Sequence, residues 1–373
     1  MSGPETTPPP TPTGDPGFVM SRRVWAGVIA LVLTVCLAGV VFLAPMPYVV
    51  YRPGLTVDVL GSNDGKPIVE VPSGSSYKVY RDDGQLRMVT VSVTSPDTKL
   101  HLVDLVGAWL NKRDAVYPWD SVYSKGESND QSRAEGAAQM ASSQDTATAV
   151  ALRELGAKVP EVTKIVQVVS GEPASGKLKS GDTVVAVDGA KVDPDGLLKA
   201  IRSTPTGASR DVTIVRDGKT LHVSLTPKDH DGTPRIGASI GIGYDLPVKV
   251  GVNISDSIGG PSAGLIFSLA IYDTLTPGSL TGGNTIAGTG EIEPDGSVGA
   301  IGGIQQKIAG ATRDGAKLFL VPADNCDEAI GAVDAENKKI RLVKVTTMHD
   351  ARESIQSWVA DHDATLPTCK AAS

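Results

Sequence analysis

The feature that most constrains this chain is an uninterrupted apolar run from Val24 to Leu43, in which Thr34 is the only clearly polar side chain. A helix rises about 1.5 Å per residue, so a run of about 20 residues spans about 30 Å, the thickness of the hydrocarbon core of a bilayer. The run therefore predicts a transmembrane helix over residues 23–44.

Charged residues around this run predict its orientation. Arg22 and Arg23 lie directly before it, whereas the stretch from Pro45 to Gly54 contains a single arginine. The positive-inside rule then places residues 1–22 in the cytoplasm and the large remainder on the extracytoplasmic side of the cell membrane. Residues 1–22 contain few apolar side chains and are expected to be disordered. A cleaved signal peptide with its cut near Leu43-Ala44 is the alternative, but the run exceeds the usual signal core of about 7–15 residues.

The rest of the chain has the composition of ordinary globular domains. Of its 373 residues 40% are hydrophobic, and the net charge of −7 argues against a nucleic-acid-binding protein. Cys36 lies in the predicted membrane helix, while Cys326 and Cys369 would both face the oxidising side. The sequence is compatible either with a disulfide between Cys326 and Cys369 or with two free thiols. No cofactor or metal site is expected.

The first exported segment is rich in β-forming residues. Asp83-Gly84 is predicted as a hairpin turn within a β-meander, and residues 107–130 show no firm period. Gln131 to Leu155 predicts one long helix that exits through Gly156 to Pro160. The β-rich stretches are 56–60, 68–71, 77–80 and 86–94.

The middle of the chain resembles a PDZ domain, assigned to residues 156–230. The elements that carry the resemblance are the strand Ile165–Val169, the small-residue turn from Gly171 to Leu178, the strand Gly181–Gly189, the helix Leu197–Ile201 and two strands from Asp211 to Leu225 around Asp217-Gly218. It implies a groove that captures an extended peptide, often a C-terminus, by strand addition. Leu155-Gly156-Ala157 is the match for the carboxylate-binding loop, and a PDZ fold that serves as a rigid spacer is the alternative.

A glycine-rich stretch in the same region resembles a phosphate-binding loop. Gly176 and Lys177 follow Gly171 at the required spacing, but Leu178 stands where a serine or threonine would hold Mg²⁺. No ATP binding is therefore expected.

Strands and helices alternate after Pro234, which predicts an α/β unit over residues 232–365, followed by a flexible tail at 366–373. The predicted strands are Ile236–Ile242, Val248–Ile254, Leu318–Val321 and Ile340–Val345, and the predicted helices are Ser262–Tyr272, Ile304–Thr312, a short one near Asp327, and Met348–Ala360.

Two residues of this unit are candidates for nucleophilic catalysis. Ser262 starts a predicted helix, where free N–H groups and the helix dipole favour negative charge, and its small neighbours Gly260 and Ala263 would let a substrate backbone approach. The five histidines form no triad pattern, which leaves Lys307 as the candidate base.

The lysine is a candidate because of its place on a helix. It shares one face with Ile304 and Ile308, so packing would bury its amine, lower its pKa and leave a neutral group able to take the serine proton. The alternatives are Ser262 as a helix N-cap and Lys307 as a solvent-facing lysine whose stem covers apolar surface.

Four ordered motifs resemble the Lon peptidase family: Gly260-Pro261-Ser262-Ala263-Gly264, Gly288-Thr289-Gly290-Glu291-Ile292, Ile301-Gly302-Gly303-Ile304-Gln305-Gln306-Lys307 and Val321-Pro322-Ala323-Asp324-Asn325. The resemblance implies Ser262 as nucleophile, Lys307 as general base and Thr289 as a hydroxyl that helps to orient the lysine. Gly259 departs from the family, many members of which have an acidic residue there, and Gln305 replaces a residue that is often lysine.

The resemblance also implies a fold, an α/β (α+β) Lon-type protease domain with an inserted PDZ domain, preceded by one transmembrane helix. Residues 45–155 would supply its first strands and helix. The chain is then expected to be a membrane-anchored, ATP-independent serine endopeptidase of extracytoplasmic or membrane-proximal proteins, and the family analogy allows a homo-oligomeric ring. The alternative is a non-enzymatic, membrane-anchored PDZ adaptor with a degenerate protease-like domain.

Overall fold

The computed structural model describes residues 21–63, 65–205, 207–216, 218–255, 257–332 and 340–370. Nearly all of the predicted cytoplasmic tail, Asp217 of the predicted Asp217-Gly218 turn and the last three residues of the predicted C-terminal tail lie outside these ranges. The helices are α1 (Arg22–Leu43), α2 (Leu102–Leu110), α3 (Asn129–Glu154), α4 (Pro194–Arg202), α5 (Gly264–Leu275), α6 (Ile304–Arg313), α7 (Cys326–Ile330) and α8 (Met348–Ala360).

The strands before and within the central segment are β1 (Tyr48–Asp58), β2 (Ser62–Asn63), β3 (Lys66–Pro67), β4 (Val69–Glu70), β5 (Gln85–Val93), β6 (Ala115–Pro118), β7 (Glu161–Val168), β8 (Thr183–Val187), β9 (Ala190–Lys191), β10 (Arg210–Arg216) and β11 (Lys219–Leu225). Those that follow are β12 (Lys228–His230), β13 (Thr233–Arg235), β14 (Ala238–Tyr244), β15 (Gly251–Val252), β16 (Thr285–Gly288), β17 (Glu291–Ile292), β18 (Val298–Gly299), β19 (Leu318–Pro322) and β20 (Arg341–Val345).

Helix α1 is a 22-residue helix with none of its residues buried against the rest of the chain. Its N-cap, Ser21, accepts a hydrogen bond from the backbone N–H of Val24. By length and composition the helix can cross a membrane, as the apolar run predicts.

The larger sheet has the strand order β20-β19-β16-β5-β1-β6. Strands β5, β16, β19 and β20 run parallel to their neighbours in this series, while β1 is antiparallel to both β5 and β6. The sheet takes three strands from before the central segment and three from after it. A simple meander was expected from the sequence, but residues 77–80 form no strand, and Gly84 leads into β5, which pairs with β1 and β16 instead of closing a hairpin.

Alternation along the strands builds a core on each face of this sheet. Leu318 and Leu320 of β19 join a cluster with residues of α3 and α5, whereas Phe319 and Val321 join a second cluster with Ile304, Ile308 and Ala311 of α6. The sheet is therefore the middle layer of three, which explains why β19 is buried at every position.

The second sheet has the order β11-β10-β8-β7-β14, with β9 paired to β8. Its edge strand β14 runs antiparallel to β7 from the pair Ala238–Val168 to the pair Tyr244–Glu161. The sequence placed this strand in the last α/β unit and proposed Leu155-Gly156-Ala157 as the loop beside the groove. In the structure Leu155 and Gly156 end α3, Gly156 with φ of 81°, and β14 fills the position beside β7.

The C-terminal segment is fastened to the protein. Cys326 and Cys369 form a disulfide with 5.0 Å between their Cα atoms. Leu366 is buried, and the carbonyl of Pro367 accepts a hydrogen bond of 2.9 Å from the N–H of Lys344. These contacts hold residues 366–370, for which the sequence had indicated a flexible tail.

Candidate active site

The candidate nucleophile lies in a tight loop that leads into α5. Helix α5 begins at Gly264, with Ala263 as its N-cap, so Ser262 precedes the first turn on which the sequence placed it. The carbonyl of Ser262 accepts a 2.9 Å hydrogen bond from the N–H of Gly290. Among the described residues, nothing accepts a hydrogen bond from the N–H groups of Ser262 and Ala263, so both donors are available to a ligand.

Small residues in this loop are required by its contact with α3. The N–H of Gly260 donates to the carbonyl of Gly136 at 2.9 Å, and a Cβ added to Gly259 would lie 3.0 Å from the Gly136 backbone. Gly260 has a φ of 91°, a conformation that favours glycine. A side chain at position 259 would therefore fit only if the Gly136 backbone moved by a few tenths of an ångström.

The candidate base projects from α6 into the interior. Lys307 is 2% exposed, and its neighbours Ile304 and Ile308 are fully buried. Its Nζ donates a 3.2 Å hydrogen bond to Thr289 Oγ1, which in turn donates to the carbonyl of Ser262 at 2.9 Å. The threonine hydroxyl thus connects the amine to the backbone of the candidate nucleophile.

Burial determines the protonation of this amine. Loss of solvation lowers the pKa of Lys307 to about 7, while the carboxylates of Glu291 and Glu328 raise it and so limit the fall. Burial also raises the pKa of both carboxyls, and the lysine charge counteracts that rise. A lysine with a pKa of about 7 is about half neutral at neutral pH, which suits it to accept a proton.

Ser262 and Lys307 line the same cleft, whose volume is about 550 Å³. Its walls include Ala263, Met140 of α3, residues 53–55 of β1 and residues 88–93 of β5. Within the described ranges the Lys307 Nζ hydrogen bond goes to Thr289 Oγ1 and none joins it to Ser262 Oγ, so the two groups share a cleft without a hydrogen bond between them. The five histidines are absent from its lining.

The structure adds residues to which the sequence had assigned no role. Glu291 stands within a recognised motif, but its influence on the lysine depends on a fold that brings two elements together. Glu328 and the cleft wall on β5 carry no local signal of function. Ser143 Oγ, on α3, donates to the carbonyl of Pro261 at 3.0 Å and helps to fix the nucleophile loop.

Comparison with known proteins identifies both domains. Residues 255–356 match the Lon protease (S16) C-terminal proteolytic domain, and residues 140–226 match the PDZ domain. The Lon protease of Campylobacter concisus is 34% identical over 145 residues, which are 37% of this chain and 17% of that protein. The Lon protease of Metamycoplasma arthritidis is 40% identical over 86 residues, 23% of this chain and 10% of that protein.

The chain therefore matches less than a fifth of the length of these two relatives. Among solved structures, the PDZ domain of the SdrC-like protein from Listeria innocua is 24% identical, with 21% of this chain and 92% of that chain covered and a TM-score of 0.20. Residues 255–356 are thus a Lon-type proteolytic domain, and the chain joins this domain to a PDZ domain in one mixed α/β protein.

Proposed function

We propose that this protein is a membrane-anchored, ATP-independent serine endopeptidase in which Ser262 is the nucleophile and Lys307 the general base. The observation that carries the proposal is the buried Lys307 amine, with its pKa lowered to about 7, in the cleft that Ser262 also lines. Burial of a lysine amine costs stability, so its place in the same cleft as a candidate nucleophile favours a catalytic role.

In the proposed reaction, the neutral Lys307 amine accepts the proton of the Ser262 hydroxyl as Oγ attacks the carbonyl carbon of the scissile peptide bond. The N–H groups of Ser262 and Ala263 are the available donors to the oxyanion that forms. The C–N bond then breaks, and the Lys307 ammonium protonates the departing amine. A water molecule, deprotonated by the same lysine, hydrolyses the ester and releases the carboxylic acid product.

Thr289 has a positioning role in this scheme. The Thr289 hydroxyl oxygen accepts a hydrogen bond from the Lys307 amine, and the hydroxyl hydrogen is donated to the carbonyl of Ser262. These two bonds fix the position of the amine and leave its lone pair free to accept a proton. Such fixation suits a base whose lone pair must meet the serine hydroxyl when substrate enters the cleft.

The cleft walls favour an extended, apolar substrate segment. The lining includes the apolar residues Leu55 of β1, Met140 of α3, and Val89, Val91 and Val93 of β5, together with the polar Thr90 and Ser92 and, besides Lys307, the charged Arg313. We infer a preference for apolar side chains near the scissile bond. A folded domain cannot enter a volume of about 550 Å³, so substrates are expected to be unfolded or flexible where they are cut.

The PDZ domain would hold part of the substrate along its edge strand β14. Among the described residues β14 pairs with a strand on one side only, and α4 contacts it, which is the arrangement that strand addition needs. A cavity of about 650 Å³ beside it is lined by Ile242 of β14, Thr163 of β7 and Pro194 of α4, among others. In this proposal the PDZ domain, with β14 as its edge strand, is inserted between residues 45–155 and the part of residues 232–365 that follows β14, and these two segments together form the protease domain.

Hydrolysis of a fluorogenic apolar peptide by the wild type, Ser262→Ala and Lys307→Met tests the function. Ser257→Ala is a matched control, since Ser257 lines the same cleft and its hydroxyl is paired with that of Ser255. The proposal expects Ser262→Ala and Lys307→Met to lose hydrolysis and Ser257→Ala to retain it. Equal activity in all four proteins would reject the dyad, and absence of hydrolysis in the wild type would favour the non-enzymatic PDZ adaptor.

A further inference from the structure

Helix α2 has an unusual surface for a helix outside the hydrophobic core. Its strongly exposed side chains are Val103 (62%), Val106 (44%), Trp109 (83%) and Leu110 (76%). Asp104 is the one exposed charged residue of the helix, and its carboxylate accepts a 2.8 Å hydrogen bond from the N–H of His101, as part of the helix N-cap. The outward face therefore presents an apolar surface where water-exposed helices carry polar residues.

The helix cannot turn this face inward without losing the contacts it already has. Ala108 is buried and Leu105 is partly buried in a small cluster with Val50 and Leu100. With about 100° between successive residues, these two lie on the side of the helix opposite Val103 and Leu110. The apolar outer face is thus a second surface, distinct from the one that packs on the sheet.

The position of α2 is tied to the end of α1. Helix α1 ends at Leu43, and three residues later the N–H of Met46 donates a 2.8 Å hydrogen bond to the carbonyl of Leu100. Helix α2 begins two residues after Leu100, and α1 and α2 are in contact. Because three residues span at most about 11 Å, the start of α2 is held close to the point at which α1 ends.

Its flanks carry the charge expected next to lipid headgroups. Lys99 lies shortly before the helix and Lys112 shortly after it, and both are exposed. Trp109 is the most exposed large apolar side chain of the helix. Tryptophan is enriched at membrane interfaces, and lysine ammonium groups interact with anionic headgroups.

We propose that α2 is an interfacial helix that seats the extracytoplasmic part of the protein on the outer leaflet. Val103, Val106 and Leu110 enter the acyl boundary, and Trp109 lies at the headgroup level. The inference rests on the proposed membrane anchoring by α1, because α1 supplies the tether that brings α2 to the lipid. The apolar face of α2 contacts the bilayer in which α1 is inserted, because the short covalent connection from α1 holds α2 beside that membrane surface.

Site-specific labelling of the full chain in lipid nanodiscs tests the proposal. Cys36→Ser removes the free thiol, while Cys326 and Cys369 remain joined as a disulfide. Single cysteines then replace Val106 or Leu110 and are labelled with an environment-sensitive fluorophore, in discs of phosphatidylcholine and phosphatidylglycerol with or without bromine on the acyl chains. Leu33→Cys in α1 reports on anchoring, and Leu221→Cys on the second sheet is the control that faces water.

The expected result is a blue-shifted emission for labels at positions 106 and 110, with loss of intensity in brominated lipid and no loss at position 221. Quenching at position 33 without any at positions 106 and 110 would overturn the seating while leaving the anchor intact. A blue shift at position 106 that brominated lipid does not quench would assign the face to a second copy of the chain and would also overturn the proposal. Absence of quenching at position 33 would refute the anchoring itself.

Discussion

The pH dependence of peptide hydrolysis follows from the environment of Lys307. Its amine acts as a base only when neutral, so kcat/KM is expected to rise with pH around the pKa of about 7. The carboxylate of Glu291 raises that pKa, and Glu291→Gln removes its charge. The midpoint of the profile is therefore expected to move to lower pH in this variant.

The size of the effect can be worked from the lowered pKa. A lysine with the ordinary pKa of 10.5 is neutral in about one molecule in 3,000 at pH 7, whereas a pKa of about 7 leaves about half of the molecules neutral. The lowered pKa thus increases the population of the neutral base roughly 1,500-fold, and it corresponds to a net penalty on the charged form of roughly 5 kcal/mol after Glu291 and Glu328 have offset part of the cost of burial. Between pH 6 and pH 8 the neutral fraction rises from about a tenth to about nine tenths, so kcat/KM should rise about tenfold.

The assay measures kcat/KM for a fluorogenic apolar peptide from about pH 5.5 to about pH 10.5, a range that includes both the lowered Lys307 pKa of about 7 and the ordinary lysine pKa of 10.5. Each profile is normalised to its own plateau. Glu293→Gln is the matched control, because Glu293 lies two residues from Glu291, is exposed and is not among the charges that shift the Lys307 pKa; its own charge raises the pKa of Glu291, so this variant keeps Glu291 ionised. A flat profile, or one whose midpoint lies near the ordinary lysine pKa, would refute the reasoning. An unchanged midpoint in Glu291→Gln would remove the role of that carboxylate while leaving the lysine in place.

Three further predictions concern the parts that hold the site. Thr289→Val should lower kcat about 10- to 100-fold with little change in KM, because the amine loses its acceptor, while Thr289→Ser should restore most of it in steady-state assays. Gly259→Ala should lower activity about 10-fold with an unchanged circular dichroism spectrum, since its Cβ would push the loop that carries Ser262 away from Gly136 by a few tenths of an ångström. Cys369→Ser should cost about 4 kcal/mol of unfolding free energy in urea titrations, and the difference from wild type should vanish under reducing conditions.

The parts of the site that could be predicted are those encoded within a single helix or turn. The spacing of Ile304, Lys307 and Ile308 fixes which face of α6 is apolar, and the helix forms as Ile304–Arg313, close to the predicted bounds. Since that face covers the sheet, the lysine is carried inward with the two isoleucines. The carboxylates that act on the Lys307 pKa could not be predicted from helix spacing, because Glu291 and Glu328 lie on separate elements that only the folded chain brings near the lysine.

The elements that were missed or misplaced show the same limit. Helix α2 buries little more than Leu105 and Ala108 and exposes most of its apolar residues, so no period of buried positions marks it in the sequence. Strand β14 was recognised as a strand, but its pairing with β7 depends on a contact between distant residues. Strand propensity is local, whereas the choice of a partner is made by the whole fold.

If the proposed function holds, the connection from α1 to the cleft limits how far from the membrane a peptide bond can be cut. Strand β1 starts five residues after Leu43, reaches the cleft wall at residues 53–55, and is fixed between β5 and β6 on its two sides. At about 3.3–3.6 Å per extended residue, the cleft lies at most about 40 Å from the end of α1. With α1 in the membrane, this distance is the upper limit on the height of the cleft above the bilayer. A segment of about 12 extended residues between a substrate's own anchor and the bond that is cut is then long enough to reach the cleft, whereas a domain that stays folded does not enter its volume of about 550 Å³.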